Sequence, residues 1–458
     1  MADTLSLTQE PVENYAAEPA VAPVRKVRTD HHLWGTYILL VIFAVIELFS
    51  ASIQEVSDGS IFRPILRHGM FLASGLVFML ILQLIHYRKI FDAIPYFVGL
   101  CLIAMLAVRV VGTEINGAMR AITIAGIPFL PSEFMKLGTA LGMAWILAKN
   151  RVKDRRDITT RGTVMCVGFM GVCALLLFSQ GLSNTIVVVA ISLSMMLIGG
   201  MSLKKFGIVL AVCAVVGVIA IGLKTAVKHD VKLTPQQERV LELNKETLTE
   251  GRADGRGNVW RDRFLHHFRP NKELEPFSVK HQQEQLSYIA QAHGGLWGVG
   301  IGQSRENARL PLAFSDYIFA IIIEELGLFT GLIILTCYMW ILGRSAKLTT
   351  RFKQTMPGML VMGCAFVIVF QALYHMAIVS GVFPVSGQPL PLISKGGISV
   401  WATSLAFGVM LSAARHAVRI TDTKADQRKE TESLPEDARA ENPMLSSSVQ
   451  KENYLTND

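Results

Sequence analysis

Charge is scarce in this 458-residue chain: Asp, Glu, Lys and Arg together make up 17% of it, below the roughly 25% usual in soluble domains. Cysteine is scarce too. The six present (Cys101, Cys166, Cys173, Cys213, Cys337, Cys364) form no CxxC or zinc-type spacing and all fall in apolar stretches, where a thiol serves as a small packing group. No Gly-Lys-Ser/Thr ending follows a glycine-rich run, which excludes a phosphate-cradling nucleotide loop. Ser183, Ser194, Ser386, Ser394 and Ser399 lie outside any nucleophile-elbow pattern and read mostly as helix-packing serines. His266, His267, His281 and His293 share no ligand spacing, so no zinc site is expected there. Residues 1–30 lack an apolar core followed by a small-residue cleavage site, and the first span is expected to act as an uncleaved anchor.

Hydrophobic residues reach 51% and the mean hydropathy is +0.40, which makes the bilayer the chain's solvent. A hydrocarbon core of about 30 Å takes roughly 20 apolar residues per helix. Stretches of that kind lie at 34–53, 70–86, 93–111, 131–148, 162–179, 184–201, 206–223, 316–343, 357–380 and 396–415. The expected fold class is an all-α membrane protein of about ten transmembrane helices. Its membrane domain spans 34–415, between polar cytoplasmic tails at 1–33 and 416–458 that are expected to be disordered. One connection stands out: residues 224–315, between helices 7 and 8, are too polar to span and too long for a simple turn. Within it, Leu233, Val240, Leu241, Leu243 and Leu248 recur among charges as in a surface amphipathic helix.

The net charge of +8 points to topology and not to nucleic acid. With the N-terminus inside, the short inward loops hold Arg88, Lys89, Lys149, Arg151, Lys153, Arg155, Arg156, Arg161, Lys204, Lys205, Arg344, Lys347, Arg351 and Lys353. The short outward loops hold only Arg63, Arg67, Arg120 and Lys395. This positive-inside bias places both termini in the cytoplasm and the 224–315 loop outside it.

Ionisable residues inside a span are costly and face the bundle or a wet cavity. In Pro131-Ser132-Glu133-Phe134-Met135-Lys136, the proline suits a helix start and the Glu and Lys, three apart, share a face. They form either a local ion pair that orients the helix or part of a polar cavity for a charged ligand. Asp316 opens the eighth span, and Glu324-Glu325 lie about 12 Å deeper at 1.5 Å per residue. Adjacent acids cannot face the same way, so one is expected to look into a cavity and the other toward a neighbouring helix or backbone donor. The run Gly294-Gly295-Leu296-Trp297-Gly298-Val299-Gly300-Ile301-Gly302 reads as a tight re-entry segment in which backbones pack closely. No internal repeat of the inverted-transporter kind is evident.

Four separated segments resemble the SEDS family of cell-wall proteins, the FtsW/RodA-like proteins. They are Asn116-Gly117-Ala118-Met119-Arg120 with 131–136; Gly294 to Gly300; Leu310-Pro311 with Asp316-Tyr317-Ile318-Phe319-Ala320 and Glu324-Glu325-Leu326-Gly327; and Pro384-Val385-Ser386-Gly387-Gln388-Pro389-Leu390-Pro391 with Ser394-Lys395-Gly396-Gly397. Their order and spacing match over roughly 34–415, and the long polar tails favour the FtsW branch, for division, over elongation. The resemblance implies an inverting peptidoglycan glycosyltransferase of the bacterial inner membrane. Its donor is linked to undecaprenyl diphosphate, it polymerises lipid II, and it works beside a class B penicillin-binding protein and other divisome or elongasome proteins. A lipid II flippase and a non-catalytic scaffold that activates the penicillin-binding protein are the alternatives.

The resemblance also implies an essential outer-loop carboxylate, for which Glu275, in Glu275-Pro276-Phe277, is the counterpart, with Glu where relatives carry Asp; Glu273 and Asp262 are rivals. Substrate contacts are expected from Arg120, Glu133, Lys136, Asp316, Ser394 and Lys395, the last at a position often held by Tyr. Gln180-Gly181-Leu182-Ser183-Asn184-Thr185 departs from the family's acidic pattern and supports the fold only. No pattern demands a metal, though Mg or Mn could assist the leaving group through the same acids.

Overall fold

The computed structural model describes residues 29–52, 62–115, 118–124, 127–150, 158–226, 282–307, 309–310 and 313–417. Helices α1 (His31–Ser52), α2 (Phe62–Leu84) and α3 (Tyr87–Val111) lead into a three-stranded antiparallel meander of β1 (Thr113–Ile115), β2 (Ala118–Ile124) and β3 (Ile127–Phe129). Then follow α4 (Pro131–Lys149), α5 (Thr160–Phe178), α6 (Leu182–Ile198), α7 (Leu203–Ala226), α8 (Gln282–Gly294), a short α9 (Ala313–Asp316), α10 (Ile318–Thr349), α11 (Thr355–Val379) and α12 (Ile398–His416). Each of the ten apolar stretches is covered by a helix. Seven of these (α1, α2, α3, α5, α10, α11, α12) are long and apolar enough to cross a membrane, whereas α6 is shorter. The chain is a multi-pass membrane protein, mostly helical. The long connection 224–315 is described up to 226, where α7 ends, and again from 282 with short gaps, and the expected amphipathic stretch 233–248 and the tails 1–28 and 418–458 lie outside the described residues.

The meander is a departure from an all-α reading. Its strands are short, three, seven and three residues, and they pair Ile122 with Phe129 and Glu114 with Met119. Runs this short carry no period that hydropathy can register.

The bundle is built around α11 and α12. Their apolar windows are 83% buried, against 28% for α2, α3 and α5, so the former pair is wrapped by protein and the latter three face lipid. Helix α11 packs on α4, α6, α10 and α12, while α12 lies along α2.

The glycine run behaves as a re-entry segment. Gly327 sits inside α10 at φ 84°, a left-handed conformation that breaks the helix and that side chains with a Cβ adopt at a cost of about 1–2 kcal/mol. The kink frees backbone groups, and the run 295–300 pairs with them: Val299 N donates to the Glu324 carbonyl and Gly300 N to that of Glu325, both at 2.9 Å, while Leu328 N donates to Gly295 O at 3.0 Å. The two backbones lie so close that a Cβ on Gly298 would overlap the Glu325 carbonyl, and one on Gly327 the Leu296 carbonyl.

At the opposite end, Asp30 caps α1 through Oδ1, which accepts from His32 N and Leu33 N. The same carboxylate takes Arg344 of α10 in a bidentate pair, at 3.0 Å from Nε and 2.7 Å from Nη2. Burial raises the Asp30 pKa, but the Arg344 and Leu33 hydrogen bonds outweigh it, and the net position lies below the ordinary 3.8. A carboxylate held low in the fold contributes stability that is present above its unfolded pKa and is lost as pH falls through the folded one.

Two outcomes follow for thermal unfolding in detergent. Asp30→Asn keeps a capping oxygen but removes the charge pair, and should cost about 1.5–3 kcal/mol at pH 7. The difference from wild type should vanish as the pH is lowered below 3.8. Gly327→Ala should lower the midpoint by more than Gly343→Ala on the same helix, where a Cβ meets nothing; equal effects would remove the backbone pairing as the reason for the glycine.

Candidate functional site

Helix α4 begins with Pro131 at its first turn and brings Glu133 into the favourable field of the helix N-terminus. One turn on, Lys136 is wholly buried. Its Nζ donates to Glu133 Oε1 at 2.8 Å, Gln371 Oε1 at 2.9 Å and Gln388 Oε1 at 3.3 Å. An ammonium has three hydrogens, so its donors are matched to three oxygens from α4, α11 and the 384–397 segment. The acceptors are themselves tied. Gln371 Nε2 donates to Glu133 Oε2 at 3.3 Å and to the Pro389 carbonyl at 3.1 Å, and Gln388 Nε2 donates to Asn184 Oδ1 of α6 at 2.8 Å. His375 Nδ1 of α11 meets the Gln388 carbonyl at 2.5 Å.

Above this network lies a cavity of about 500 Å³. Its walls come from the start of α2 (Arg67, His68, Phe71), from Arg120 on β2, from the first turn of α4, from the α5–α6 turn (Gln180, Gly181, Asn184), from Phe314–Asp316 and from the 386–399 segment. All these belong to the connections assigned outward by charge; the Lys/Arg-rich connections join the other ends of the same helices.

The 384–397 segment is held by its own turn. Ser394 Oγ accepts from Leu390 N at 2.6 Å and donates to the Ser315 carbonyl at 2.9 Å, and Tyr338 OH of α10 donates to the Pro391 carbonyl at 2.6 Å. Leu392 at φ 65° is the one non-glycine residue in the left-handed region among those described, and such strain persists only where surrounding contacts over-determine it. The turn delivers Lys395 to the cavity, its N bonded to the Phe314 carbonyl at 3.0 Å and its Nζ 5.7 Å from the Phe314 ring centroid.

The structure thus brings Arg120, Glu133, Asp316 and Lys395 to one cavity wall. Asp316 accepts from Ser315 Oγ at 2.7 Å. Lys136 and Ser394 lie behind the wall, as the post that fixes Glu133 and Gln388 and as the tie that fixes the 390–394 turn. Glu275, Glu273 and Asp262 lie outside the described residues. Glu324 and Glu325 are a correction, since neither lines the cavity. Glu324 accepts from Arg305 N at 3.0 Å, from Ser304 Oγ and at 2.9 Å from His293 Nδ1, assigned as a donor here. Glu325 accepts from Gly302 N at 3.1 Å and from Ser50 Oγ of α1. Both acids pin the 302–306 segment, because its exposed amides supply more donors than a lone cavity would.

Missed by the sequence reading were His68, Gln180 and Gln371. A glutamine inside the apolar run of α11 was the available signal for Gln371; His68 and Gln180 sit at helix ends, where polar residues are ordinary. Ser183, Ser386 and Ser399, read as packing serines, also line the cavity. Among the described residues no three His, Cys, Asp or Glu side chains gather in a metal-binding group.

Comparison with known proteins gives consistent matches. The model of the FtsW/RodA/SpoVE family, described as cell cycle proteins, matches residues 30–255 and 256–419. Peptidoglycan glycosyltransferase MrdB of Escherichia coli is 28% identical over 394 residues, covering 85% of this chain and 95% of that protein. A probable peptidoglycan glycosyltransferase FtsW of Alcanivorax borkumensis is 27% identical over 412 residues, covering 87% and 97%. Among solved structures, a chain of a peptidoglycan synthase complex aligns with a TM-score of 0.63 at 22% identity, covering 86% of this chain and all of that one. The rod shape determining protein RodA of Thermus thermophilus aligns at 0.57 and 21%, covering 87% and 99%. These alignments establish a shared fold.

Removing one partner of a buried charge pair leaves the other uncompensated, at a cost of about 3–5 kcal/mol. Lys136→Met should therefore destabilise the purified protein strongly, whereas Glu133→Gln with Lys136→Met together should restore much of the loss. Thermal unfolding of the two variants checks this; a double variant no more stable than the single would remove the pair as the source of the effect.

Proposed function

The chain belongs to the FtsW/RodA/SpoVE family of cell cycle proteins, and from that membership we infer that it is a peptidoglycan glycosyltransferase. The observation that supports the chemistry best is the cavity itself, on the side assigned outward and lined by Arg67, Arg120 and Lys395 above a fixed Glu133–Lys136 pair. A sugar donor on a prenyl diphosphate needs cationic groups at its head and a membrane to take its tail. Lipid II is the substrate we propose.

The reaction joins an acceptor sugar hydroxyl to the anomeric carbon of the donor sugar, expelling the diphosphate in one displacement with inversion. A carboxylate takes the hydroxyl proton as the new bond forms; on the resemblance of Glu275-Pro276-Phe277 to the family's outer-loop segment, that base is Glu275. Arg120 faces the departing diphosphate and offsets the charge building there. Lys136 acts as a positioning residue, its field directed through Glu133 and Gln388 and its donors already spent on them. A class B penicillin-binding protein is the proposed partner, and this chain is proposed to lie in the inner membrane with both of its termini cytoplasmic. The division role, in preference to elongation, rests on the polar tails.

The test is polymerisation of labelled lipid II by the purified protein with its penicillin-binding partner made transpeptidase-dead. Wild type should yield glycan and well-folded Glu275→Gln should not. Arg120→Ala should lose about 10²-fold in kcat, the usual effect of removing one preorganised donor. Activity surviving Glu275→Gln would move the base to Glu273 or Asp262. No glycan from wild type would favour the flippase or scaffold.

A further inference from the structure

Helices α1 and α10 are tied to each other at both ends. At one end Arg344 holds Asp30 in a bidentate pair, and at the other Ser50 Oγ donates to Glu325. Between the ties the two helices present small residues, Gly35 and Thr36 from α1 and Thr336 and Cys337 from α10, to a groove of about 530 Å³.

The groove suits an apolar ligand. Thr36 Oγ1 donates to the His32 carbonyl and Thr336 Oγ1 to that of Leu332, both at 2.8 Å, so each hydroxyl is spent on its own helix. Phe329, Leu332 and Trp340, which also line the groove, are each more than half exposed. Length narrows the choice of ligand. The lining runs from Phe329 to Trp340 on α10 and from His31 to Leu39 on α1, which at 1.5 Å per residue is about 16 Å and about 12 Å. That is the depth of one leaflet, half of a hydrocarbon core of about 30 Å. A partner's spanning helix needs both leaflets, whereas an acyl chain needs one.

The mouth of the groove lies at the end of the bundle that carries the Lys/Arg-rich connections. His31 and His32 line it and are exposed. The His32 ring is 5.8 Å from that of Trp340, and Trp is enriched at the level of lipid headgroups. Lys347, also exposed, follows Trp340 by seven residues and so shares its helix face. Asp30 brings no unbalanced negative charge, since it is 3% exposed and taken up by Arg344. A phosphate at this mouth meets imidazole N–H donors and an ammonium.

We propose that the α1–α10 groove binds an anionic phospholipid, with one acyl chain along the groove and the phosphate at His31, His32 and Lys347. The groove shares no lining residue with the cavity described above, so this assignment does not rest on the glycosyltransferase reading.

Native mass spectrometry of the full-length protein, freed of detergent after incubation with phosphatidylglycerol or with phosphatidylcholine of the same chain length, tests it. Wild type should keep one phosphatidylglycerol under conditions that strip phosphatidylcholine. Gly35→Trp, at a position where a Cβ meets nothing within 4 Å, fills the groove and should keep none. Gly343→Trp, equally open but outside the groove, should bind as wild type does. Lys347→Gln leaves the groove intact and should weaken retention about fivefold, the effect of one cation near an anionic headgroup. Equal retention of the two lipids, or phosphatidylglycerol kept by Gly35→Trp, would overturn the proposal. So would a wild type that keeps neither lipid, and a crosslink from Gly35→Cys to a partner's spanning helix would then give the groove to a protein.

Discussion

A lysine ammonium closed off from water in a membrane protein can persist only if oxygens replace its hydration shell. At Lys136 those oxygens come from Glu133, Gln371 and Gln388, and the demand for them orders much of the bundle. It draws the non-helical 384–397 segment inward against α11 and binds that segment to α6 through Asn184. Irregular backbone at this depth is tolerated because it is buried in protein or lines a polar cavity. The cavity is thus a consequence of satisfying one charge: the chain must bring polar backbone to the ammonium, and the far side of that backbone becomes a wall.

A second constraint operates at the kink of α10. Breaking the helix at Gly327 exposes amides and carbonyls that lipid cannot satisfy, and the 295–300 run supplies their partners through backbone pairing. Glu324 and Glu325 then take up the amides of the same incoming segment a few residues later. The end of the outer connection is therefore located to within a residue or two by hydrogen bonds that have few alternative partners. Whatever the rest of the connection contributes to the cavity, it enters from this fixed point, alongside α1 through Ser50 and Asn307.

The helices were legible because each spanning run exceeds the length at which hydropathy separates lipid from water, and the buried Glu133 and Lys136 because charge in a span has few bland explanations. The glycine run was legible for a related reason: so many glycines serve close backbone approach. Other features were not. The meander hid because its strands are too short to alternate. Glu324 and Glu325 carried the signature of cavity acids, yet their partners are backbone amides together with His293, Ser304 and Ser50, groups that no local pattern ties to them. His68 and Gln180 gain significance only from the other segments that line the cavity with them, all distant in the chain, and no local pattern records such a distance. Lys136 and Ser394 sit behind the cavity lining, bonded to other protein groups. Sequence can say that a residue is polar and deep, but not which side of a wall it occupies.

These two constraints divide the work of catalysis in a way that suits the proposed chemistry. Charge builds on a diphosphate as the sugar leaves it, and stabilising that charge is most effective when the surrounding dipoles need not reorganise. Lys395 hangs from the 390–394 turn, which Ser394 and Tyr338 already hold, so its geometry is set before any substrate arrives. The base faces the opposite requirement, since it must approach an acceptor hydroxyl that is present only when a second lipid has bound. In the sequence the proposed base belongs to the long 224–315 connection and the anion-binding residues to other segments, so those segments can stay rigid. Proton removal then awaits the arrival of both reactants, which guards the activated donor from attack by water.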